Sequence, residues 1–380
     1  MLKPGDAIQC KRGSYTITRK LAEGGMGIVH LAGNPSGKTV VVKEPKVTGD
    51  PKQDCLYLEK LQVEAKILSN LNHMNIVKYE DSYVGGNSAY LVVEYLDGES
   101  WEKLFSGKSI SEDDAEKYIL QILDALAYMH NQNVIYRDLK PHNIMLTKKK
   151  VNKLIDFGGA KFFYTQIRDP TFQHTQVFTP GWAAPEQMWG GASFQSDIYG
   201  AGATLFFLLT GKPPGLYLDA HGGLKPPSDV NHRVKRMSNV VVKATDPDPN
   251  KRYQMIGDMI SDVQGKLSVV SAPHLIYGNT KYTLSGELTV GRADDCDIAI
   301  SDPAKFISSY HTRIYEQKGE YWVEDLGSLN GTFITHDPQA GFSKLSPKSP
   351  RKLRDNDPIA LCYHPRLGPY VTLKFVVGGN

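Results

Sequence analysis

The residues best suited to chemistry fall in a fixed order. Ala22-x-Gly24-x-x-Gly27 is followed by Lys43, which closes the run Val40-Val41-Val42-Lys43, and then by Glu64. An ammonium carried on a strand can reach phosphate oxygens while a carboxylate from the next element fixes its position. Asp138, Lys140 and Asn143 cluster in Ile135-Tyr136-Arg137-Asp138-Leu139-Lys140-Pro141-His142-Asn143, and Asp156 of Leu154-Ile155-Asp156-Phe157-Gly158 lies thirteen residues beyond Asn143. Taken singly, each has a plainer reading: the glycines an ordinary hairpin turn, Lys43 and Glu64 a solvated pair, the aspartates turn carboxylates that satisfy backbone N–H groups. The order of the whole set carries the chemical reading, which is the handling of phosphate.

Elements that would position these residues can be read from periodicity. Tyr15-Thr16-Ile17-Thr18, Ile28-Val29-His30-Leu31 and Thr39-Val40-Val41-Val42 are β-branched runs separated by glycine turns, which predicts an antiparallel meander. A strand after Gly27 disfavours a dinucleotide fold, which needs a helix N-terminus beneath the pyrophosphate. Leu58, Leu61, Ala65 and Leu68 recur at helical spacing between Asp54 and Leu71, and strand-like runs follow near Ile76-Val77 and from Tyr90 to Glu94. After Gly98, Ser111-Glu112-Asp113-Asp114 has the form of an N-cap, and Ala115, Tyr118, Ile119, Ile122, Leu123, Leu126 and Met129 predict an amphipathic helix behind it. Ile198 to Leu209 is apolar all round, as expected of an enclosed helix and too short for a membrane span. Near Ser268 to Pro273 the pattern changes to strand-sized runs with turns between them (Leu288 to Val290, Ile298 to Ile300, Thr312 to Tyr315, Tyr321 to Val323, Thr332 to Ile334, Tyr370 to Val377), which predicts an all-β sandwich.

From about Tyr15 to Leu267 the chain resembles a eukaryotic-type serine/threonine protein kinase: glycine loop, strand lysine, helix glutamate, catalytic loop, Asp156-Phe157-Gly158 and Ala184-Pro185-Glu186 occur in that family's order. The resemblance implies ATP and Mg²⁺ as cofactors. It implies that Ala22, Gly24, Gly27, Val29, Val41, Lys43, Glu64, Glu94, Leu96 and Met145 surround the nucleotide and that Asn143 and Asp156 hold the metal. Asp138 would accept or orient the substrate hydroxyl, and Lys140 would steady the transferring phosphate. Such chemistry needs charge neutralisation and in-line placement more than covalent participation. Lys140, two residues after Asp138, and Thr179-Pro180-Gly181-Trp182 imply Ser or Thr acceptors. Glu186 is expected to pair with Arg252, and Asp197 to hold the catalytic-loop backbone. Arg137 resembles kinases controlled by activation-loop phosphorylation, with Thr171 and Thr175 as the candidate sites and Thr165 behind them. The chain departs from the family pattern at Ala22 (a glycine), Tyr136 (His), Val41 (a smaller Ala), His142 (Glu) and Gly159 (a bulkier residue). Val41 is expected to tighten the adenine pocket, and His142 weakens any expectation of basic substrate residues.

Gly291-Arg292, Ser308-x-x-His311 and Asn330-Gly331-Thr332 resemble a forkhead-associated (FHA) domain, a phosphothreonine-binding sandwich. An Arg fork and a hydroxyl suit phosphate oxygens, and an amide suits a peptide backbone. Arg292, Ser308, Ser309 and Asn330 would bind, with His311 bracing the loop. Ser309 stands where this family often has Arg. The segment from His336 to Lys352 is expected to be an exposed loop.

The remaining composition sets bounds. At 380 residues, 41% hydrophobic and 22% charged, the chain fits two ordinary domains and excludes a disordered polar chain or a collagen-like repeat. A balance of 44 Lys and Arg against 41 Asp and Glu gives no electrostatic reason to invoke nucleic acid or an anionic membrane. Cys10, Cys55, Cys296 and Cys362 are dispersed, and the N-terminus lacks an apolar leader, so a reducing, cytoplasmic setting is expected. The fold class expected is α+β: a bilobal kinase fold with a small antiparallel sheet and one helix, a helical C-lobe and a β-sandwich. The catalytic domain is expected over 13–267, a linker over 268–273 and the reader over 274–380. The functional expectation is a serine/threonine kinase that docks phosphothreonine partners or its own activation loop. The alternative is a catalytically weak scaffold acting through phosphopeptide binding.

Overall fold

The computed structural model describes residues 1–377 apart from 25–26, 87, 163–180, 190, 220–221, 266–271, 279, 303, 337–340 and 365–367. The described residues up to 264 form one compact unit and those from 265 onward a second.

In the first unit, β1 (Ala7–Gln9), β2 (Ser14–Glu23), β3 (Gly27–Gly33), β4 (Thr39–Pro45), β5 (Tyr79–Gly85) and β6 (Ser88–Glu94) form a six-stranded sheet in the order β1-β2-β3-β4-β6-β5. The pairings are antiparallel. Period-two alternation divides the faces. Ala32, Val40, Val42 and Val92 pack with Ile8, Tyr15 and Ile17 on one side. Val29, Val41 and Lys43 therefore belong to the other, partly open face. The predicted meander is present. A strand at Ile76-Val77 is not: Ile76 makes an isolated bridge to Leu154, and the strand starts at Tyr79.

Helix α1 (Pro51–Ser69) starts where the Asp50 side chain accepts the Lys52 N–H and Pro51 supplies the first turn. Its buried stripe, Leu61, Glu64, Ala65 and Leu68, carries one charge among apolar residues. That charge sits where the sheet's open face presents Lys43.

The helical lobe begins with β7 (Gly98–Ser100) and α2 (Trp101–Phe105), followed by α3 (Glu112–Asn131). Ser111 caps α3 by accepting the Asp114 N–H at 3.1 Å. Short strands β8 (Val134–Ile135), β9 (Ile144–Thr147), β10 (Asn152–Leu154) and β11 (Lys161–Phe162) frame the loops that carry Asp138 and Asp156. In α4 (Phe194–Thr210) every residue from Ser196 to Thr210 is buried, as its uniform apolarity predicts. Helices α5 (Arg236–Ala244) and α6 (Ile256–Val263) pack with it around Leu205, Met237, Val241 and Met259. Among the described residues no helix is long and apolar enough to cross a membrane.

The second unit is all-β. Strands β12 (His274–Tyr277), β13 (Thr280–Thr283), β14 (Glu287–Gly291), β15 (Ile298–Ala299), β16 (Thr312–Gln317), β17 (Glu320–Asp325), β18 (Thr332–Ile334), β19 (Ser343–Lys344), β20 (Arg351–Lys352), β21 (Pro358–His364) and β22 (Gly368–Val376) form two sheets. Their orders are β13-β12-β22-β21-β18-β19 and β15-β14-β16-β17-β20. Val290, Ile314, Val323, Ile359, Leu373 and Phe375 fill the core with period-two spacing. The segment expected as an exposed loop instead contributes β19, β20 and the buried Leu345, 3% exposed.

Candidate functional site

The pleat of β4 aims Lys43 at the stripe of α1, and its Nζ lies 2.6 Å from Glu64 Oε1 and 3.4 Å from Asp156 Oδ1. Glu64 Oε1 also accepts the Phe157 N–H at 3.2 Å, so one carboxylate ties the helix to both the strand lysine and the Asp156 turn. Burial works against the Lys43 charge, but Asp156 and Glu64 outweigh it and raise its pKa. Lys43 in turn holds the Asp156 carboxyl below its ordinary value.

Asp138 stands in a loop whose one-turn helix, Pro141–Asn143, returns Asn143 toward it. Asn143 Nδ2 donates to the Asp138 carboxylate and to its backbone carbonyl, each at 2.8 Å. Lys140 Nζ lies 2.9 Å from the other carboxylate oxygen. Burial raises the Asp138 pKa, and Lys140 and Asn143 oppose that rise. The Ile155 N–H donates to the Asn143 carbonyl at 3.0 Å, which joins the two loops through backbone.

The loop conformation is held from below. Asp197 Oδ1 accepts the Arg137 N–H at 2.7 Å, and Oδ2 accepts the Tyr136 N–H at 2.9 Å beside His130 Nε2 at 2.8 Å. Arg137 adopts φ 72°, a left-handed conformation that a non-glycine residue keeps only when its surroundings impose it. Tyr136, in the place of the family's His, is buried edge-on against Phe157 with ring centroids 5.2 Å apart. Glu186 receives Arg252 bidentately at 2.7 and 2.9 Å.

The glycines divide by role. The Gly24 N–H donates to the Gly27 carbonyl at 2.9 Å, as in a hairpin, and a Cβ on Gly27 would lie 2.8 Å from the Glu44 carbonyl oxygen. A Cβ on Gly159 would sit 3.2 Å from that of Asp138, which accounts for the small residue there. Ala22 and Gly24 are exposed, whereas Val29, Val41, Glu94, Leu96 and Met145 are partly buried. Val29 pairs with Lys43 in register and Val41 with Val93. The Glu94 side chain is engaged with Lys153 at 2.8 Å. Thr165, Thr171 and Thr175 lie outside the described residues.

A divalent cation of the Mg²⁺ type takes oxygen ligands. Among the described residues Asp156 Oδ2 and Asn143 Oδ1 accept no hydrogen bond, and the Asp156 side chain is 48% exposed. This donor set fits such an ion.

Sequence reasoning missed Gln187, which accepts the Ala184 N–H at 2.9 Å and donates to the Arg137 carbonyl at 2.9 Å. It also missed His130 beneath Asp197. Both act across more than forty residues of sequence, so no local spacing marks them.

In the second unit the Arg292 N–H donates to the Ser308 carbonyl at 3.0 Å, and the guanidinium reaches the Ile307 carbonyl at 3.3 Å and Ser309 Oγ at 3.4 Å. Ser308 Oγ accepts the Leu329 N–H at 3.0 Å, while Asn330 Nδ2 donates to the Phe306 carbonyl at 2.8 Å. His311 is fully buried between the loops: Nδ1 accepts the Ser308 N–H at 3.2 Å, which leaves Nε2–H to donate to the Gly331 carbonyl at 3.1 Å. Burial lowers its pKa, consistent with that neutral tautomer. Asp325, unmarked in the sequence, accepts from Gly327, Ser328 and Thr332 and builds the second loop. Arg292, Ser308, Ser309 and Asn330 are thus brought to one edge of the sandwich.

Comparison with protein families matches residues 15–263 to the protein kinase domain and residues 288–362 to the FHA domain. The chain belongs to the protein kinase family. It carries an FHA domain in its C-terminal unit. Similar proteins include "Probable serine/threonine-protein kinase PknB" of Bifidobacterium longum, 30% identical over 66% of this chain and 39% of that protein. "Serine/threonine-protein kinase PrkC" of Bacillus subtilis is 31% identical over 66% of this chain and 40% of its own length. "Cell division control protein 7" of Schizosaccharomyces pombe is 36% identical over 63% and 23%. The chain therefore spans well under two thirds of these relatives' lengths. The crystal structure of the Mycobacterium tuberculosis PknI kinase domain is 20% identical, with a TM-score of 0.55 over 70% of this chain and 99% of that one, and shares the fold.

Proposed function

We propose that this chain is an ATP- and Mg²⁺-dependent serine/threonine protein kinase whose FHA domain docks phosphothreonine-bearing partners or its own phosphorylated activation loop. The observation that carries the reading is the convergence of Lys43, Asp156, Asn143 and Asp138, linked by hydrogen bonds and ion pairs no longer than 3.4 Å and by backbone. Family membership implies a nucleotide and a divalent metal. Bound there, they would supply the phosphoryl group and neutralise its charge.

The chain's own residues would do the rest. Lys43, fixed by Glu64, offers an ammonium to phosphate oxygens. Asp156 and Asn143 offer free oxygens to the metal. Asp138, held by Asn143 and Lys140, orients the acceptor hydroxyl and takes its proton. Lys140, two residues on from Asp138, suits Ser or Thr acceptors, a reading in keeping with the printed names of the bacterial relatives. Arg137 would receive a phosphate on Thr171 or Thr175, which mass spectrometry after incubation with Mg-ATP would detect. The cysteines Cys10, Cys55, Cys296 and Cys362 are free thiols, which supports a reducing cytoplasmic setting.

Incubation with radiolabelled ATP, Mg²⁺ and an acceptor protein, followed by phosphoamino-acid analysis, tests the assignment. Phosphoserine and phosphothreonine are expected. Absence of transfer from wild-type protein under every activating condition would favour a phosphopeptide-binding scaffold.

A further inference from the structure

Arg137 is held in its left-handed conformation from two sides. Its N–H donates to Asp197 Oδ1 at 2.7 Å, in the first turn of α4, and its carbonyl accepts Gln187 Nε2 at 2.9 Å. That carbonyl belongs to the rigid peptide unit whose nitrogen is that of Asp138, so the plane Gln187 grips sets the direction in which the Asp138 carboxylate leaves the loop. Gln187 is itself fixed. The Ala184 N–H donates to its Oε1 at 2.9 Å while its own N–H donates to the Ala184 carbonyl at 3.0 Å, so the side-chain oxygen is committed and the NH₂ group faces Arg137. The preceding residue, Glu186, is bonded to Arg252 at 2.7 and 2.9 Å and to Ser196 Oγ at 2.7 Å. Gln187 is 4% exposed, and a buried amide is costly unless both of its ends are bonded. Closing the local turn needs only the Ala184 half. The other half reaches across fifty residues of chain to the loop that carries Asp138.

We infer that Gln187 is a positioning residue for phosphoryl transfer: through the Arg137 carbonyl it fixes the Asp138 carboxylate against the acceptor hydroxyl. This inference rests on the proposed role of Asp138 in orienting that hydroxyl. A residue in a sparsely populated backbone conformation keeps it only while its surroundings hold it, and Asp197 alone leaves the carbonyl side of Arg137 free to turn. Misplacing a reacting group by about 1 Å can cost about 10²-fold in rate. Gln187 therefore acts on the transfer step through Asp138, and Mg-ATP binding stays with Lys43, Asp156 and Asn143.

The experiment is a double-mutant cycle on the full chain with one Ser/Thr peptide substrate. Transfer is measured with radiolabelled Mg-ATP and expressed per nucleotide-binding site found by titration, so a smaller folded fraction does not count as lost catalysis. Gln187→Glu keeps the acceptor for the Ala184 N–H and removes only the donor to Arg137. It is expected to lower kcat about 10- to 100-fold and to leave KM for Mg-ATP unchanged. In an Asp138→Asn background the same substitution should change kcat by less than about twofold, because its effect passes through a carboxylate already removed. Gln187→Met, which gives up both bonds without adding a charge, should behave in the same way. An unchanged kcat in both single variants, a loss confined to KM for Mg-ATP, or losses that multiply in the double variants as for a residue that only supports the fold would overturn the inference. Absence of transfer by wild type, or equal rates for wild type and Asp138→Asn, would overturn the underlying reading of Asp138 and this inference with it.

Discussion

Asn143 spends both bonds of its side-chain amide nitrogen on Asp138, one to the carboxylate and one to the backbone carbonyl, each at 2.8 Å. The carboxylate is thereby oriented by the neighbour whose remaining oxygen suits a metal. On the proposed assignment, base and metal ligand form one unit, so a change in either should be felt at both.

The pH dependence follows from this arrangement. Burial raises the Asp138 pKa above the ordinary carboxylate value, with Lys140 and Asn143 opposing the rise. A proton acceptor works only when ionised, so activity is present above that raised pKa and lost as the pH falls through it. Lys140→Met removes a cation that favours the ionised form. The acid limb of kcat/KM against pH should move to higher pH in this variant, and an unmoved limb would contradict the electrostatic account.

Asp156 is shifted the other way, and there the quantity that responds to acid is stability. Lys43 holds its folded-state pKa below the unfolded value, so its stabilising contribution is present above the ordinary carboxylate range and lost as pH falls through the lowered value. Melting temperatures of wild type and Asp156→Asn should differ most at neutral pH and converge in acid.

Much of the first unit's site was legible because its charged residues occur in a fixed order, with Asp138, Lys140 and Asn143 closely spaced, and much of the core because periodicity marks it. What stayed hidden has physical causes. The strand Tyr79–Gly85 escaped because Asp81 and Ser82 are its buried residues, at a bulge where Asp81 accepts from Tyr15 and Arg12. A polar interior reverses the pattern that periodicity detects. Leu345 escaped because one core leucine amid Ser, Pro and Lys leaves no periodic signal. Asp325 escaped because turn aspartates are common and only the folded loop shows what each accepts.

Arg252 tests the structural side of the fold. Its side chain is fully buried, and it binds Glu186, Asp246, Pro247 and Gln195 together. Arg252→Ala strands the Glu186 carboxylate and should cost about 3–5 kcal/mol in chemical denaturation of the first unit's transition. Arg252→Lys keeps the charge but not the fork, so an intermediate loss is expected. An unchanged transition midpoint for both variants would refute the role.

Gly291 separates the two units' functions. A Cβ there would lie 2.0 Å from the Ser309 carbonyl oxygen, which displaces the loop carrying Ser308 and Ser309. Gly291→Ala should abolish phosphothreonine-peptide binding while phosphate transfer to a free peptide substrate is retained. His311→Ala should weaken binding less severely, because the loop keeps its Leu329 and Arg292 contacts.

The most direct test compares kcat/KM of wild type and Asp138→Asn on one Ser/Thr peptide substrate at saturating Mg-ATP. Asparagine preserves the shape and the contact with Asn143 but cannot take a proton, and the expected loss is ~10²–10⁴-fold. Equal rates would mean that transfer does not run through the cluster of Lys43, Asp138, Asn143 and Asp156.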